Sequence, residues 1–222
     1  MSDRPVLLVD LDGTITDSID GIVRSLRHAL DSVGARWDDS RDIRSVVGPP
    51  MIDTLSSLGL AGSDLNRALA AYRERYDEVG WQENAVFTGM DALLGRLATD
   101  GYRMAVATSK DQNAARRILG HFDLVAPFEF IGGADIEVGR LAKGDVIAHS
   151  LNALGINPVS AADGGTGGVL MVGDREHDIR GAARYGIDTA VVRWGYGRPE
   201  EWAEARWSPT DTHELERIVR DR

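Results

Sequence analysis

Four groups of residues combine reactive side chains with positions that would expose them. Asp10 and Asp12 stand two apart directly after the apolar run Val6-Leu7-Leu8-Val9, with Gly13 behind them. Residues two apart in extended chain point the same way, and glycine lets the backbone turn sharply, so the two carboxylates are aimed at one point. Thr108 and Ser109 close a second apolar run, where alone they would serve as helix caps. Lys143 opens a helical segment, a position the helix dipole disfavours for a cation; a local cost of that kind suggests a local use. Gly173-Asp174-Arg175-Glu176-His177-Asp178 ends a further apolar run and puts two acids one helical turn apart. An N-terminal cap explains one of them easily and two less well. The chain has no Cys, so disulfides, thiolate nucleophiles and zinc–thiolate sites are excluded and the chemistry falls to carboxylates, hydroxyls and amines.

The elements that must position these groups follow from the apolar pattern. Short continuous apolar runs, the mark of strands buried on both faces, occur at 6–9, 102–108, 128–131, 169–172 and 189–192. Helical spacing predicts helices at about 89–100, 112–120, 143–154, 176–185 and 212–220, the last with Asp211 and Glu214 in capping-box spacing. Strand alternating with helix implies an α/β, doubly wound parallel sheet of five or more strands, Rossmann-like, whose ligands bind beyond the carboxyl ends of the strands. Asp10, Thr108 and Asp174 all fall on that edge. Between the first two strands lie about 70 residues, too many for one crossover. Within them Ile19, Ile22, Val23, Leu26, Leu30 and Val33 recur at helical spacing, as do Leu65, Leu69, Tyr72, Tyr76 and Val79. The expected organisation is therefore a core of residues 1–16 and 88–222, with a small α-helical cap, residues 17–87, inserted over the active edge. Ala161 to Gly168, rich in glycine, reads as a flexible surface loop.

Composition sets limits. The 222 residues suit one domain or one domain with a modest insertion, and the 43% hydrophobic and 27% charged content is that of a globular protein. A net charge of −10 argues against a nucleic-acid polymer or an anionic membrane as partner, and an anionic substrate would need local help. No stretch approaches the roughly 18 apolar residues of a membrane span. Val6–Val9, preceded by Asp3 and Arg4, is far shorter than the core of a signal peptide, about 7–15 residues, so a cytoplasmic location is expected. The 25 basic residues comprise 23 Arg and two Lys, Lys110 and Lys143.

Taken in order, Asp10-Leu11-Asp12-Gly13-Thr14, strand-end Thr108, Lys143 and Gly173-Asp174-x-x-x-Asp178 resemble the four motifs of the haloacid dehalogenase superfamily, across nearly the whole chain. Val47-Gly48-Pro49-Pro50, Ala107-Thr108-Ser109-Lys110 and Trp194-Gly195-Tyr196-Gly197 further resemble its helical-cap branch of phosphoglycolate-phosphatase-like and 5′-nucleotidase-like members. The resemblance implies a phosphatase for a small phosphorylated metabolite. Asp10 would be the nucleophile and Asp12 the acid and base. Mg²⁺ would be held by Asp10, the backbone carbonyl of Asp12 and Asp174. Thr108, Lys143 and the backbone N–H of Ser109 at a helix start would hold the phosphoryl oxygens, with Gly13 shaping the turn and Asp178 orienting Lys143 or the metal waters.

Lys143 falls where a compact ammonium must fit beside a carboxylate and a phosphate, which a guanidinium would overfill. Lys110 is the other exception to the arginine rule, and a role near substrate is expected against the alternative of a solvent-facing loop. Substrate selection is expected from the cap, with Gly48 and Pro49 of the Gly48-Pro49-Pro50 loop and with Arg73 and Tyr76 as candidates; the alternatives are a helix N-terminus with Pro at N1, a solvated Arg and a core-facing Tyr. The insertion holds no Lys, which excludes a cap Schiff base, and Ile22 stands where mutases of the superfamily carry a cap His. A phosphotransferase, an enzyme directed at protein phosphate and a phosphate-receiving signalling domain remain as alternatives, and a monomer or homodimer is expected.

Overall fold

Val6–Val9, the first strand β1, is buried from Leu7 onward, as a strand in the middle of a parallel sheet must be. The computed structural model describes residues 4–222; the first three residues of the expected core, Asp3 among them, lie outside the described residues. The remaining strands of the main sheet are β4 (Met104–Asp111), β5 (Phe130–Ala134), β6 (Val169–Gly173) and β7 (Asp188–Val191). Their order is β5-β4-β1-β6-β7, with every neighbour parallel. Leu7 pairs with Met104 on one side and Leu170 on the other, so β1 is the central strand and its end lies between those of β4 and β6.

One face of the sheet, carrying Leu8, Ala105, Ala107 and Met171, packs on Val146, Ile147 and Leu151 of α6 (Lys143–Ala153) and on Ala182 of α7 (Glu176–Ala183). The alternate residues Leu7, Val9, Val106, Leu170 and Val172 are also buried, which makes the core two-sided and accounts for the unbroken apolar runs. The other helices of this part are α4 (Met90–Thr99), α5 (Gln112–His121), the single turn α8 (Pro199–Trp202) and α9 (Thr212–Arg220). Asp211 caps α9 by accepting from the Glu214 N–H, while the Glu214 side chain turns back to Thr210 rather than to Asp211, so half of the expected capping box forms.

The chain divides into two compact units: residues up to Thr16 together with Val86–Arg222, and Asp17–Ala85. The crossings are marked by the two-residue strands β2 (Thr16–Asp17) and β3 (Ala85–Val86), which pair with each other. Taken by itself, the second unit is helical: α1 (Ile19–Asp31), α2 (Met51–Ser57) and α3 (Gly62–Glu78). Ile22, Leu26 and Leu30 of α1 are buried, as their spacing requires. On α3 the buried positions are Ala68 and Tyr76, while Val79, the residue after the helix, is exposed, so the inward stripe lies slightly aside from the one the larger apolar residues suggest. Arg75 clamps the unit, donating to Ser25 of α1 at 3.0 Å and to both oxygens of Glu83 at 2.9 and 3.0 Å.

Three elements depart from the sequence reading. β4 runs on through Ser109-Lys110-Asp111, with its pairing to β5 shifted between Ala107 and Asp111, while α5 starts at Gln112, where its spacing predicts, behind an Asp111 cap. Ser109 is therefore in a strand and not at a helix start. β5 does not stop before Gly132-Gly133 but includes them. A side chain at Gly132 would strike the Ser150 hydroxyl, and one at Gly133 would stand 2.6 Å from the Lys110 carbonyl oxygen, so these glycines serve close approach and not chain reversal. The glycine-rich segment 161–168 is tied down: the Val159 N–H donates to the Thr166 hydroxyl at 2.9 Å, and the Thr166 N–H donates to the Tyr185 carbonyl at 2.7 Å.

Candidate active site

The ends of β1 and β6 deliver the acids, and the start of α6 delivers a cation to them. Asp10 follows β1 directly and is 8% exposed; Asp174 follows β6 and is fully buried, as is Asp178 in the first turn of α7. Carboxylate oxygens of these three residues lie within 4.8 Å of one another. Lys143, the first residue of α6, inserts its ammonium among them, with Nζ 2.8 Å from Asp10 Oδ1 and 2.6 Å from Asp178 Oδ1. Three acids against one ammonium leave the cluster with a formal excess of two negative charges in a place shut off from water.

That imbalance is visible in the proton affinities. Burial pushes the Asp10 carboxyl up to about 6, with Lys143 pulling the other way and Asp178 adding to the rise. Burial, with Asp178 and then Asp10, also raises Asp174 well above the usual carboxylate range. Burial alone would lower Lys143, but the Asp10 and Asp178 carboxylates outweigh it and hold the ammonium protonated. Thr108 on β4 contributes a side-chain hydrogen bond to Asp10.

The two oxygens of Asp178 are committed. Oδ1 meets Lys143, and Oδ2 accepts from the N–H groups of Asp174 and Arg175 at 3.1 and 3.0 Å, which caps α7. Asp174 is gripped from the opposite side by the loop after β7, where the Tyr196 N–H donates to Oδ2 at 2.7 Å. The approach is close enough to require glycine: a side chain at Gly195 or Gly197 would overlap Asp174 itself, and Gly13, at φ +83°, meets the same carboxylate. Asp174 Oδ1 is left buried without a hydrogen-bond partner. An orphaned carboxylate oxygen beside a surplus of negative charge fits a hard divalent cation. Asp10 and Asp174 are the side chains free to hold it, whereas Asp178 is placed to fix Lys143.

Asp12 stands apart from this cluster. Its Oδ2 is paired with Lys110 Nζ at 2.8 Å, both side chains being mostly buried, and its Oδ1 is buried with no hydrogen-bond partner. Thus each of the two lysines meets one of the two acids after β1. Asp10, Asp12, Gly13, Thr108, Ser109, Lys110, Lys143, Asp174 and Asp178 all belong to the sheet-bearing unit, and Lys110 is not a solvent-facing loop residue. Gly48, Pro49 and Arg73 belong to the helical unit. Gly48, at φ +108°, precedes α2, whose N-cap is Pro50, so no proline occupies N1; Arg73 is exposed on α3, and Tyr76 is buried there. Glu201 is a contributor that spacing does not single out, and Trp194 is one that enters the sequence reading only through the family resemblance. Buried Glu201 accepts from the Glu176 N–H and from Arg175 at the mouth of α7, and the Trp194 indole donates to the Thr14 carbonyl at 3.1 Å. Both lie more than 20 residues in sequence from what they hold.

A five-stranded parallel sheet with acids at the ends of its central strands, a lysine at a helix start and an inserted helical unit define a hydrolase-type α/β protein of one family. Residues 7–192 match the model of the haloacid dehalogenase-like hydrolases, and the chain belongs to that family. It is 47% identical over 195 residues to the tyrosine-protein kinase PtkA of Mycobacterium tuberculosis, an alignment covering 88% of this chain and 64% of that protein. The chain thus spans less than two thirds of the length of that relative. It is 36% identical over 198 residues to a 5′-nucleotidase of Pseudomonas aeruginosa, covering 89% of this chain and 86% of the relative. Among solved structures, one described as a predicted phosphatase from Clostridium acetobutylicum superposes with a TM-score of 0.86 at 30% identity over the full length of both chains. No helix among the described residues is long and apolar enough to cross a membrane.

Proposed function

We propose that the protein is a Mg²⁺-dependent phosphatase that hydrolyses a small phosphate monoester, a nucleoside 5′-monophosphate or a phosphoglycolate-like compound, through an aspartyl phosphate. The observation that carries this reading is the buried cluster of Asp10, Asp174, Asp178 and Lys143, whose charge and orphaned Asp174 oxygen suit a metal and a phosphoryl group together. The Asp10 carboxylate attacks phosphorus in line, the bond to the ester oxygen breaks, and Asp12 gives that oxygen its proton. Water then attacks the same phosphorus, Asp12 takes the water proton, and the bond to Asp10 breaks to release inorganic phosphate. Lys143 and Thr108, already on Asp10, hold oxygens of the transferring group as charge builds on them. When bound at Asp10, Asp174 and the Asp12 carbonyl, Mg²⁺ would neutralise phosphate charge and keep Asp10 ionised. The substrate is read as a soluble metabolite met in the cytoplasm by a monomer or homodimer; neither a nucleic-acid polymer nor a membrane is part of the reading.

The 47% identity to a protein named as a tyrosine kinase favours a second reading, in which the acceptor of the aspartyl phosphate is a tyrosine hydroxyl instead of water. One experiment separates the two. Purified protein, with and without Mg²⁺, is offered nucleoside monophosphates, phosphoglycolate, sugar phosphates, and ATP with a tyrosine peptide. Release of inorganic phosphate with a clear preference for one monoester supports the first reading, and labelled peptide supports the second. Asp10→Asn should abolish either activity with the fold intact; turnover retained in that variant overturns the mechanism.

A further inference from the structure

Lys110 does work that the mechanism above leaves unassigned. Its ammonium lies 2.8 Å from Asp12 Oδ2 and is shielded from solvent, while Asp12 Oδ1 is buried with no hydrogen-bond partner. The lysine is itself held in register. Its N–H donates to the Thr108 hydroxyl at 3.2 Å, it lies on the stretch of β4 beyond the register shift, and its carbonyl packs on Gly133, where no side chain would fit. An ammonium has donors only, so it requires a lone pair on the oxygen it meets. With Oδ2 so occupied, Oδ1 is the carboxyl oxygen left without a protein partner.

We propose that Lys110 is a positioning residue: by anchoring Asp12 Oδ2 it fixes the rotamer of the carboxyl and makes Oδ1 the oxygen that passes the proton to the leaving group and later receives one from water. This rests on the phosphatase reading and adds to it the group that aims the acid. It also accounts for both lysines of an arginine-rich chain, one aiming the nucleophile and one the acid. A freely rotating Asp12 would present its proton in the wrong direction much of the time, and the loss should grow with the need of the leaving group for a proton.

The test compares kcat/KM for 4-nitrophenyl phosphate, whose leaving group departs readily, with that for phenyl phosphate, whose leaving group needs protonation. Because kcat/KM reports steps only as far as departure of the leaving group, slow hydrolysis of the aspartyl phosphate does not mask the effect. Asp12→Asn serves as reference and should lose at least about tenfold more on phenyl phosphate than on the nitrophenyl ester. Lys110→Met should skew the two esters in the same direction by about tenfold, with Lys110→Arg lying between it and the wild type. Lys110→Gln, uncharged but polar, is measured beside Lys110→Met and should skew the same way if the Met protein does not fold. Equal losses on both esters in the Lys110 variants, or a rise in KM alone, overturn the inference while a skewed Asp12→Asn leaves the phosphatase reading standing. An Asp12→Asn variant that does not discriminate overturns the acid role of Asp12 and the inference with it.

Discussion

Replacing Asp10 by Asn should remove activity and at the same time stabilise the metal-free protein. The carboxyl is almost fully buried, shares its cavity with Asp174 and Asp178, and is pushed from 3.8 up to about 6. At 1.36 kcal/mol per unit, that displacement is a penalty of about 3 kcal/mol on the ionised form in the folded chain. The folded value lies above the unfolded one, so protonated Asp10 favours the fold below about pH 4, and the benefit is lost as pH rises through about 6. Asparagine has the same shape without the charge, and its amide oxygen still accepts from Lys143. In EDTA at pH 8 the variant should therefore be more stable by up to about 3 kcal/mol, or about 6–12 °C in Tm for a chain of this length. Near pH 4 the two proteins should melt together. Thermal and urea unfolding of both proteins at the two pH values, with and without Mg²⁺, is the assay, and added Mg²⁺ should narrow or reverse the gap by binding the wild type more tightly. An Asp10→Asn protein that melts at or below the wild type in EDTA at pH 8 would refute the reasoning that the cluster stores unrelieved negative charge.

Lys143→Arg should lose kcat/KM on a phosphate monoester by about 10²-fold or more, nearly as much as Lys143→Ala, because the side chain is enclosed between two carboxylates and Gly181. Near-normal turnover of the Arg variant in a steady-state assay contradicts this. Gly197→Ala should cost about 1–3 kcal/mol in chemical denaturation, since its methyl would overlap the Asp174 carbonyl oxygen, and should weaken Mg²⁺ binding by calorimetry; a variant as stable as the wild type refutes the overlap.

The sheet was legible because β1 and β6 are buried on both faces, and continuous aliphatic runs allow little else. The acids were legible because they follow those runs without a gap. What pattern could not reveal is contact over distance. Lys110 meets Asp12 across 98 residues, and only the unexpected continuation of β4 carries it there. That continuation is polar, Ser109-Lys110-Asp111, and resembles a strand end, because hydrophobicity identifies strands by what they bury and not by what they hydrogen-bond. A related limit holds at Gly132-Gly133, where the apolar run at 128–131 ends but β5 continues: glycine marks either a turn or a crowded crossing, and sequence does not say which. Ala68 of α3 is buried while Val79 is exposed, because the helix ends at Glu78 and the periodic pattern read from sequence runs one residue past it.

The central position of β1 has a consequence for how the protein comes into being. β1, which Asp10 follows, is made before both of its neighbours: the edge that pairs with β4 waits for Met104, and the edge that pairs with β6 waits for Val169. The unit from Asp17 to Ala85 is contiguous, and its contacts can close while the rest is still emerging. Parallel pairings across such long sequence separations close more slowly than local helical contacts. The acidic cluster is therefore completed late: Asp10 and Lys143 are already made when β6 brings Asp174 and α7 brings Asp178.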